Sequence, residues 1–277
     1  MENPQTTPQY VLGRSEFEAQ RLIRQANFLR PSTERIFRRA GIATGMRVLD
    51  LGCGAGDVSF LAAELVGPTG AVVGIDRNPS VLELARQRAR ESGLSWVTFE
   101  ERSIDRFTST ARFDAVVGRC VLMYQPDPVA TLRLMASHLH AGGILVVQEP
   151  DMSVDVRTWP HVPLWSQVRE WIGETFRRGG VAYDIGSKLY PLFRQAGLPG
   201  PTLIQHVTVC GGAAVRPICE HSAEMVRSLL PRMEAFGIAS AEEVQIETLA
   251  DRLERDSRAA ESQVTYMPNV AAWSTKD

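Results

Sequence analysis

The residues with the most evident chemistry are Asp50-Leu51-Gly52-Cys53-Gly54-Ala55-Gly56-Asp57. They follow an apolar run directly and open a segment of helical periodicity. Glycines there let the backbone turn sharply and approach a ligand closely. A helix beginning behind them offers unpaired N–H groups and the positive end of its dipole, where a carboxylate or a phosphate is stabilised. Spacing separates those two ligands. A dinucleotide fingerprint reads G-x-G-x-x-G, whereas Gly52, Gly54 and Gly56 alternate with single residues. Asp50, inside the turn, would repel a pyrophosphate. It would instead accept hydrogen bonds from an ammonium, directly or through water. Asp76 closes the next apolar run, VVGID. A carboxylate there accepts from the 2′ and 3′ hydroxyls of a ribose, by the logic used for NAD. A ligand with a ribose, an amino group and a carboxylate, and no phosphate, satisfies both features.

These residues need a scaffold that holds them at one edge. Ser15 and Glu18 have capping-box spacing, and Phe17, Leu22, Ile23, Ala26 and Leu29 follow on one helical face. Pro31 is expected to break that helix and begin a second, arginine-rich one ending at Gly41. Strands are then predicted at Arg47 to Leu51, Ala71 to Ile75, Val97 to Glu101, Phe113 to Gly118 and Ile144 to Val147. Helices fill the gaps. Val58, Leu61, Ala62 and Leu65 recur at i, i+3, i+4 and i+7. Asn78 caps a helix with Pro79 at its first position. Another helix starts at Asp127 and Pro128 and ends at Gly142 and Gly143. The alternation predicts an α/β fold: a doubly wound, mostly parallel sheet with helices on both faces, binding its ligand beyond the carboxyl ends of the strands.

After Pro150 the alternation stops. Helices are expected around Leu164 to Thr175, over Asp184 to Ala196 and through most of 213–260. Strands are expected at Leu203 to Cys210 and Val264 to Trp273, which would bring the sheet to seven strands.

Composition removes several classes. With 44% hydrophobic and 22% charged residues among 277, the chain has enough apolar side chain for a packed core. Lys plus Arg is 30 and Asp plus Glu is 32, so there is no basic excess for a nucleic-acid backbone. The stretch Leu198 to Val215, free of Asp, Glu, Lys and Arg, is broken by prolines and glycines and cannot span a membrane. Cys53, Cys120, Cys210 and Cys219 lack zinc-ribbon spacing and suit a reducing compartment. A soluble, cytoplasmic protein without a metal site is the expectation.

Four pieces together make the chain resemble a class I S-adenosylmethionine-dependent methyltransferase, of the branch that holds the ubiquinone and menaquinone C-methyltransferases and many small-molecule methyltransferases. They are VLDLGCGAG (48–56), GIDRNP (74–79), FDAVVGRCVLMYQPDP (113–128) and AGGILVVQEPD (141–151). The resemblance is strong over roughly residues 45–151 and looser at the N-terminal helices and at FRQAGLP (193–199). It implies roles. Gly52, Gly54 and Gly56 would line the methionine and ribose part of S-adenosylmethionine, with Asp50 supporting the loop. Asp76 would hold the ribose and Arg77 would lie along the adenosine. Arg119 would meet the methionine end. The turn after the third strand usually supplies an acid to the adenine amine. Here Ser103 and Ile104 occupy that turn, a departure in which the Ser103 hydroxyl, or Asp105 in a shifted register, accepts instead.

Methyl transfer from a sulfonium is an in-line displacement, so the protein mainly aligns the partners and excludes water. Tyr124 and Glu149 fall in loops where an acceptor should sit and are the catalytic candidates. Trp159, Trp165, Trp171 and Tyr183 lie in a helical insert that would form a lid over the acceptor, and an arm around Tyr10 would close over the cofactor. The expected division is a helical cap at 1–40, an S-adenosylmethionine-binding core at 41–151, and a lid plus completion of the sheet at 152–277. A small, partly apolar acceptor and a monomer or homodimer are expected. A non-catalytic S-adenosylmethionine-binding protein is one alternative. A nicotinamide dehydrogenase is another, opposed by the glycine spacing and Asp50.

Overall fold

A computed structural model of the chain describes residues 16–154 and 157–277. The expectations for Tyr10 and its arm lie outside the described residues. In chain order the elements begin α1 (Glu16–Ala40), β1 (Arg47–Leu51), α2 (Asp57–Val66), β2 (Ala71–Asp76), α3 (Pro79–Glu91) and β3 (Val97–Glu101). They continue β4 (Phe113–Arg119), α4 (Pro128–Ser137), β5 (Leu139–Pro150), β6 (Arg157–Trp159), α5 (Pro163–Arg178), α6 (Ile185–Gln195), β7 (Thr202–His206) and β8 (Val209–Cys210). Last come α7 (Arg216–Ala235), α8 (Ala241–Val244), α9 (Leu249–Ala259), β9 (Gln263–Thr265) and β10 (Asn269–Thr275). Two compact units divide them. The first is Leu22–Glu149, Ile185–Gln205 and Val270–Asp277; the second takes in residues through Arg21, Pro150–Asp184 and His206–Asn269.

The first unit is built on a seven-stranded sheet in the order β3-β2-β1-β4-β5-β10-β7. β1 runs parallel to both β2 and β4, so the strand order reverses beside it. Register aligns the chemistry. Asp50 lies opposite Gly74 on one side and Val117 on the other, Asp76 opposite Glu101, and Arg119 opposite Gln148. β4 is buried along most of its length, which explains its largely apolar sequence. The helices start where the sequence caps them. The Ser80 N–H donates to Asn78 Oδ1 at 3.1 Å and the Ala130 N–H to Asp127 Oδ1 at 2.9 Å, each with Pro in the first turn. Ile36 and Phe37 of α1 pack with Val48, Leu61 and Val117 in one apolar core.

Four expectations need correction. Pro31 does not end α1, which runs through it. The proline sits on the exposed side, where water can take the carbonyl left without a donor, while buried Leu29, Thr33, Ile36 and Phe37 hold the opposite side. The helix before β5 stops at Ser137, and Gly142 and Gly143 lie within the strand. There the register with β4 shifts, and Gly142 donates to the Lys276 carbonyl at 2.8 Å. Each of the last two expected strands is two strands, because the stretches Leu203 to Cys210 and Val264 to Trp273 serve different sheets. β7 and β10 join the large sheet, while β8 and β9 join β6 in a three-stranded antiparallel one. Finally, Trp159 lies in β6 and not in a helix, and is 81% exposed.

The second unit joins that small sheet to α5, α7 and α9. Trp165 is buried at its centre, its indole N–H donating to Ser257 Oγ at 2.9 Å.

Candidate functional site

The turn after β1 is fixed from beneath by β2. The Cys53 N–H donates to the Ile75 carbonyl at 2.9 Å, and the Gly56 N–H to the Cys53 carbonyl at 2.9 Å. Gly56 has φ +89°, and a Cβ on it would lie 2.8 Å from the Phe60 ring, so only glycine fits before α2. Gly54, at φ +53°, directs its N–H to Asp76 Oδ2 at 3.1 Å. The other oxygen of Asp76 accepts from the Asn78 N–H at 2.9 Å. Each oxygen thus holds one backbone donor and keeps a lone pair for a further one. The carboxylate is half-buried at the carboxyl end of β2, set as an acceptor for two adjacent hydroxyls.

Asp50 lies buried below the same turn. Ser59 of α2 donates to its Oδ2 at 2.6 Å. Gly74 makes that approach possible, since a Cβ there would come 2.8 Å from Ser59 Oγ and from the Phe99 ring. Burial pushes the Asp50 carboxyl up to about 7; the Ser59 hydrogen bond and the Arg119 charge only partly oppose this, and Asp76 and Asp57 add to it. A cation arriving at the turn would favour its ionised form. Burial also raises the Cys53 thiol well above its ordinary range, which argues against a nucleophile.

The turn after β4 is held by Glu149. Its Oε1 accepts from the Val121 and Leu122 N–H groups at 2.9 and 2.8 Å, and its Oε2 from the Met123 N–H at 3.4 Å. Burial nevertheless pushes this carboxyl up to about 7. Cys120 enters the turn at φ +55°, a conformation uncommon outside glycine, with its N–H on the Gln148 carbonyl at 2.9 Å. Arg119 Nη1 donates to Thr33 Oγ1 at 3.2 Å, and Thr33 donates to Gln148 Oε1 at 2.7 Å, which ties α1 to the ends of β4 and β5.

The strand ends therefore bring together Asp50, Gly52, Gly54, Gly56, Asp76, Arg77, Ser103, Ile104, Arg119, Tyr124 and Glu149 in the first unit. Arg77 is exposed and Tyr124 half-buried. The Ser103 hydroxyl hydrogen-bonds Asp105 Oδ1, so the acid and the hydroxyl of that turn act as a pair. Trp165, Trp171 and Tyr183 belong to the second unit, where both indoles are buried. Ser59, Gly74 and Thr33 escaped sequence reasoning. Ser59 had a signal, being a hydroxyl two residues into the helix that follows Asp50. Among the described residues no group of three or more His, Cys, Asp and Glu could hold a metal, and no helix is long and apolar enough to cross a membrane.

A family model described as a methyltransferase domain matches residues 42–197. Aklanonic acid methyltransferase from Streptomyces sp. (strain C5) is 36% identical over 137 residues, 49% of this chain and 61% of that protein. Demethylmenaquinone methyltransferase from Lactococcus lactis is 28% identical over 197 residues, 64% of this chain and 74% of that protein. The fold is also that of coclaurine N-methyltransferase, solved with N-methylheliamine and S-adenosylhomocysteine. There the TM-score is 0.53 at 15% identity, covering 88% of this chain and 71% of that one.

Proposed function

The chain belongs to the methyltransferase-domain family, and on that premise we propose that it is an S-adenosylmethionine-dependent enzyme that methylates a small molecule. The observation that carries this is the Asp76 carboxylate, anchored by the Gly54 and Asn78 N–H groups with a lone pair left on each oxygen, beside a glycine turn with a buried carboxylate beneath it. The donor set fits the cofactor. Asp76 holds the ribose hydroxyls, and Gly52, Gly54 and Gly56 let the backbone pass close to the ribose and methionine. Asp50 balances the ammonium, and Arg119 meets the methionine carboxylate. Arg77 and Ile104 flank the adenosine, and the Ser103–Asp105 pair accepts from the adenine amine. S-adenosylmethionine, when bound, supplies a methyl group already activated on a sulfonium.

The chain's own part is alignment and exclusion of water. Glu149 holds the turn after β4, its oxygens accepting from the Val121, Leu122 and Met123 N–H groups. It thereby fixes Tyr124, on the same turn, against the acceptor. Relatives named for aklanonic acid and demethylmenaquinone support a small, partly apolar acceptor. Four cysteines without zinc-ribbon spacing suit the cytoplasm, and the protein works as a monomer or homodimer. The test is turnover. Purified protein with S-adenosylmethionine and a panel of hydroxylated and quinonoid acceptors should release S-adenosylhomocysteine in step with a methylated product. Cofactor binding without turnover on any acceptor would refute the enzymatic reading.

A further inference from the structure

Arg119 ends β4 on a relay of hydrogen bonds whose direction is fixed. The Ser32 hydroxyl donates to the Leu29 carbonyl at 2.8 Å, so its oxygen accepts, from Gln148 Nε2 at 3.3 Å. That turns the Gln148 amide oxygen toward Thr33. A hydroxyl has a single proton to give. Thr33 gives it to Gln148 Oε1 at 2.7 Å, ahead of the Leu29 carbonyl at 3.1 Å. The Thr33 oxygen then offers lone pairs alone, and Arg119 Nη1 donates to it at 3.2 Å. Thr33 and Gln148 are buried, so water does not compete for these bonds.

The relay decides where this cation rests. Burial raises the Asp50 carboxyl and the Arg119 charge opposes the rise, so the two groups lie within electrostatic reach. The guanidinium nevertheless bonds to Thr33 and not to that carboxylate. Released from Thr33, it would pair with Asp50 and cancel the charge that awaits an ammonium. α1 also borders the glycine turn, since a Cβ on Gly54 would lie 3.8 Å from Leu22 Cδ1. Arg119 shares a cavity of about 390 Å³ with Asn27 of α1 and Asp57 of α2. Of the other arginines there, Arg30 pairs with Glu64 and Arg88 with Asp57. Arg119 is the one held by a neutral group, and a guanidinium has further N–H donors for a carboxylate. An arginine already held in place loses less freedom when it meets that carboxylate.

We propose that Thr33 and Gln148 are positioning residues that hold Arg119 apart from Asp50, so that the site presents a cation and a carboxylate separately to the zwitterionic end of the cofactor. The proposal rests on the reading of the glycine turn as the S-adenosylmethionine site. The test titrates the full chain with S-adenosylhomocysteine and with 5′-methylthioadenosine, which has the nucleoside and the thioether but no amino-acid end. Thr33→Val should weaken S-adenosylhomocysteine about tenfold or more, the worth of a hydrogen bond to a charged group, and leave 5′-methylthioadenosine unchanged. Thr33→Ser keeps the hydroxyl and should bind both as wild type does. Arg119→Met should show the same selective loss, and adding Thr33→Val to it should cost nothing more. Thr33→Val alone orphans Gln148 Oε1; combined with Gln148→Leu it removes donor and acceptor together, which spares the fold, and the selective loss should persist. Equal weakening of both ligands in that double variant, a Thr33→Ser as weak as Thr33→Val, or additive losses with Arg119→Met would each overturn the proposal. Unchanged S-adenosylhomocysteine binding in Thr33→Val would overturn it and leave the cofactor reading intact. Wild type that binds neither nucleoside would remove that reading and the proposal with it.

Discussion

Replacing Asp50 with asparagine should uncouple cofactor binding from proton release. In the folded chain, burial raises this carboxyl from an ordinary 3.8 to about 7. At pH 6 about nine-tenths of the ligand-free protein therefore carries a proton on Asp50. The ammonium of S-adenosylmethionine is fully charged at that pH and requires the ionised carboxylate. Binding should then expel about 0.9 proton per cofactor. The same shift has a sign for stability. A folded-state pKa above the unfolded value means that the folded chain binds the extra proton. The contribution of Asp50 to stability is thus greatest below about pH 4, falls as pH rises to about 7 and is level above that. At pH 8 the ionised Asp50 costs the ligand-free fold at most about 4 kcal/mol. Glu149, also raised to about 7, adds a similar slope to both proteins and cancels in the comparison. Asp50→Asn keeps an acceptor for Ser59, so it should melt several degrees above wild type at pH 8, bind cofactor more weakly and release no proton. Calorimetry at pH 6 in two buffers of different ionisation heat reads the proton count. Equal proton release from both proteins, or none from wild type, would refute this reasoning.

Other substitutions probe the scaffold around the site. Gly74→Ala places a methyl 2.8 Å from Phe99 and Ser59 Oγ and should cost about 1–3 kcal/mol in urea denaturation; no loss would mean that the α2–β2 contact is looser than described. Glu149→Ala leaves the buried N–H groups of Val121, Leu122 and Met123 without their acceptor, at about 1–3 kcal/mol each. Glu149→Gln retains one acceptor oxygen and should recover part of the lost thermal stability, whereas identical melting of the two variants would argue against this role. Pro31→Ala restores a backbone donor on the exposed side of α1 and should stabilise the chain by about 1 kcal/mol, net of the added freedom of the unfolded state. A lower melting temperature would show that the proline matters for more than its missing N–H.

The parts legible in sequence were those in which local chemistry and tertiary role coincide. Asp50, the glycine turn and Asp76 announce themselves because a strand end, a tight turn and a helix start follow within a few residues. β1, β2, β4 and β5 showed as apolar runs because a parallel sheet buries both faces there, whereas the edge strand β3 alternates and is only half-buried. What failed did so where distant packing overrode local preference. Pro31 lies in a helix because its own face is exposed while the opposite face is anchored to the core. Residues 202–210 and 263–275 looked like single strands because hydrophobicity does not say to which sheet a strand belongs. Ser59 and Gly74 matter through a contact between elements that no local pattern encodes. Glu149 was noticed as a carboxylate near the strand ends, but the three N–H groups that it accepts from belong to a turn that no local pattern encodes.

The most direct test of the central claim is the affinity of the wild-type chain and of Asp76→Ala for S-adenosylmethionine and for NAD, measured by titration calorimetry. The account predicts saturable one-site binding of S-adenosylmethionine, no binding of NAD, and a loss of about a hundredfold or more on removing a carboxylate that accepts two hydroxyl hydrogen bonds. Undiminished affinity in Asp76→Ala, or a preference for NAD, would contradict it.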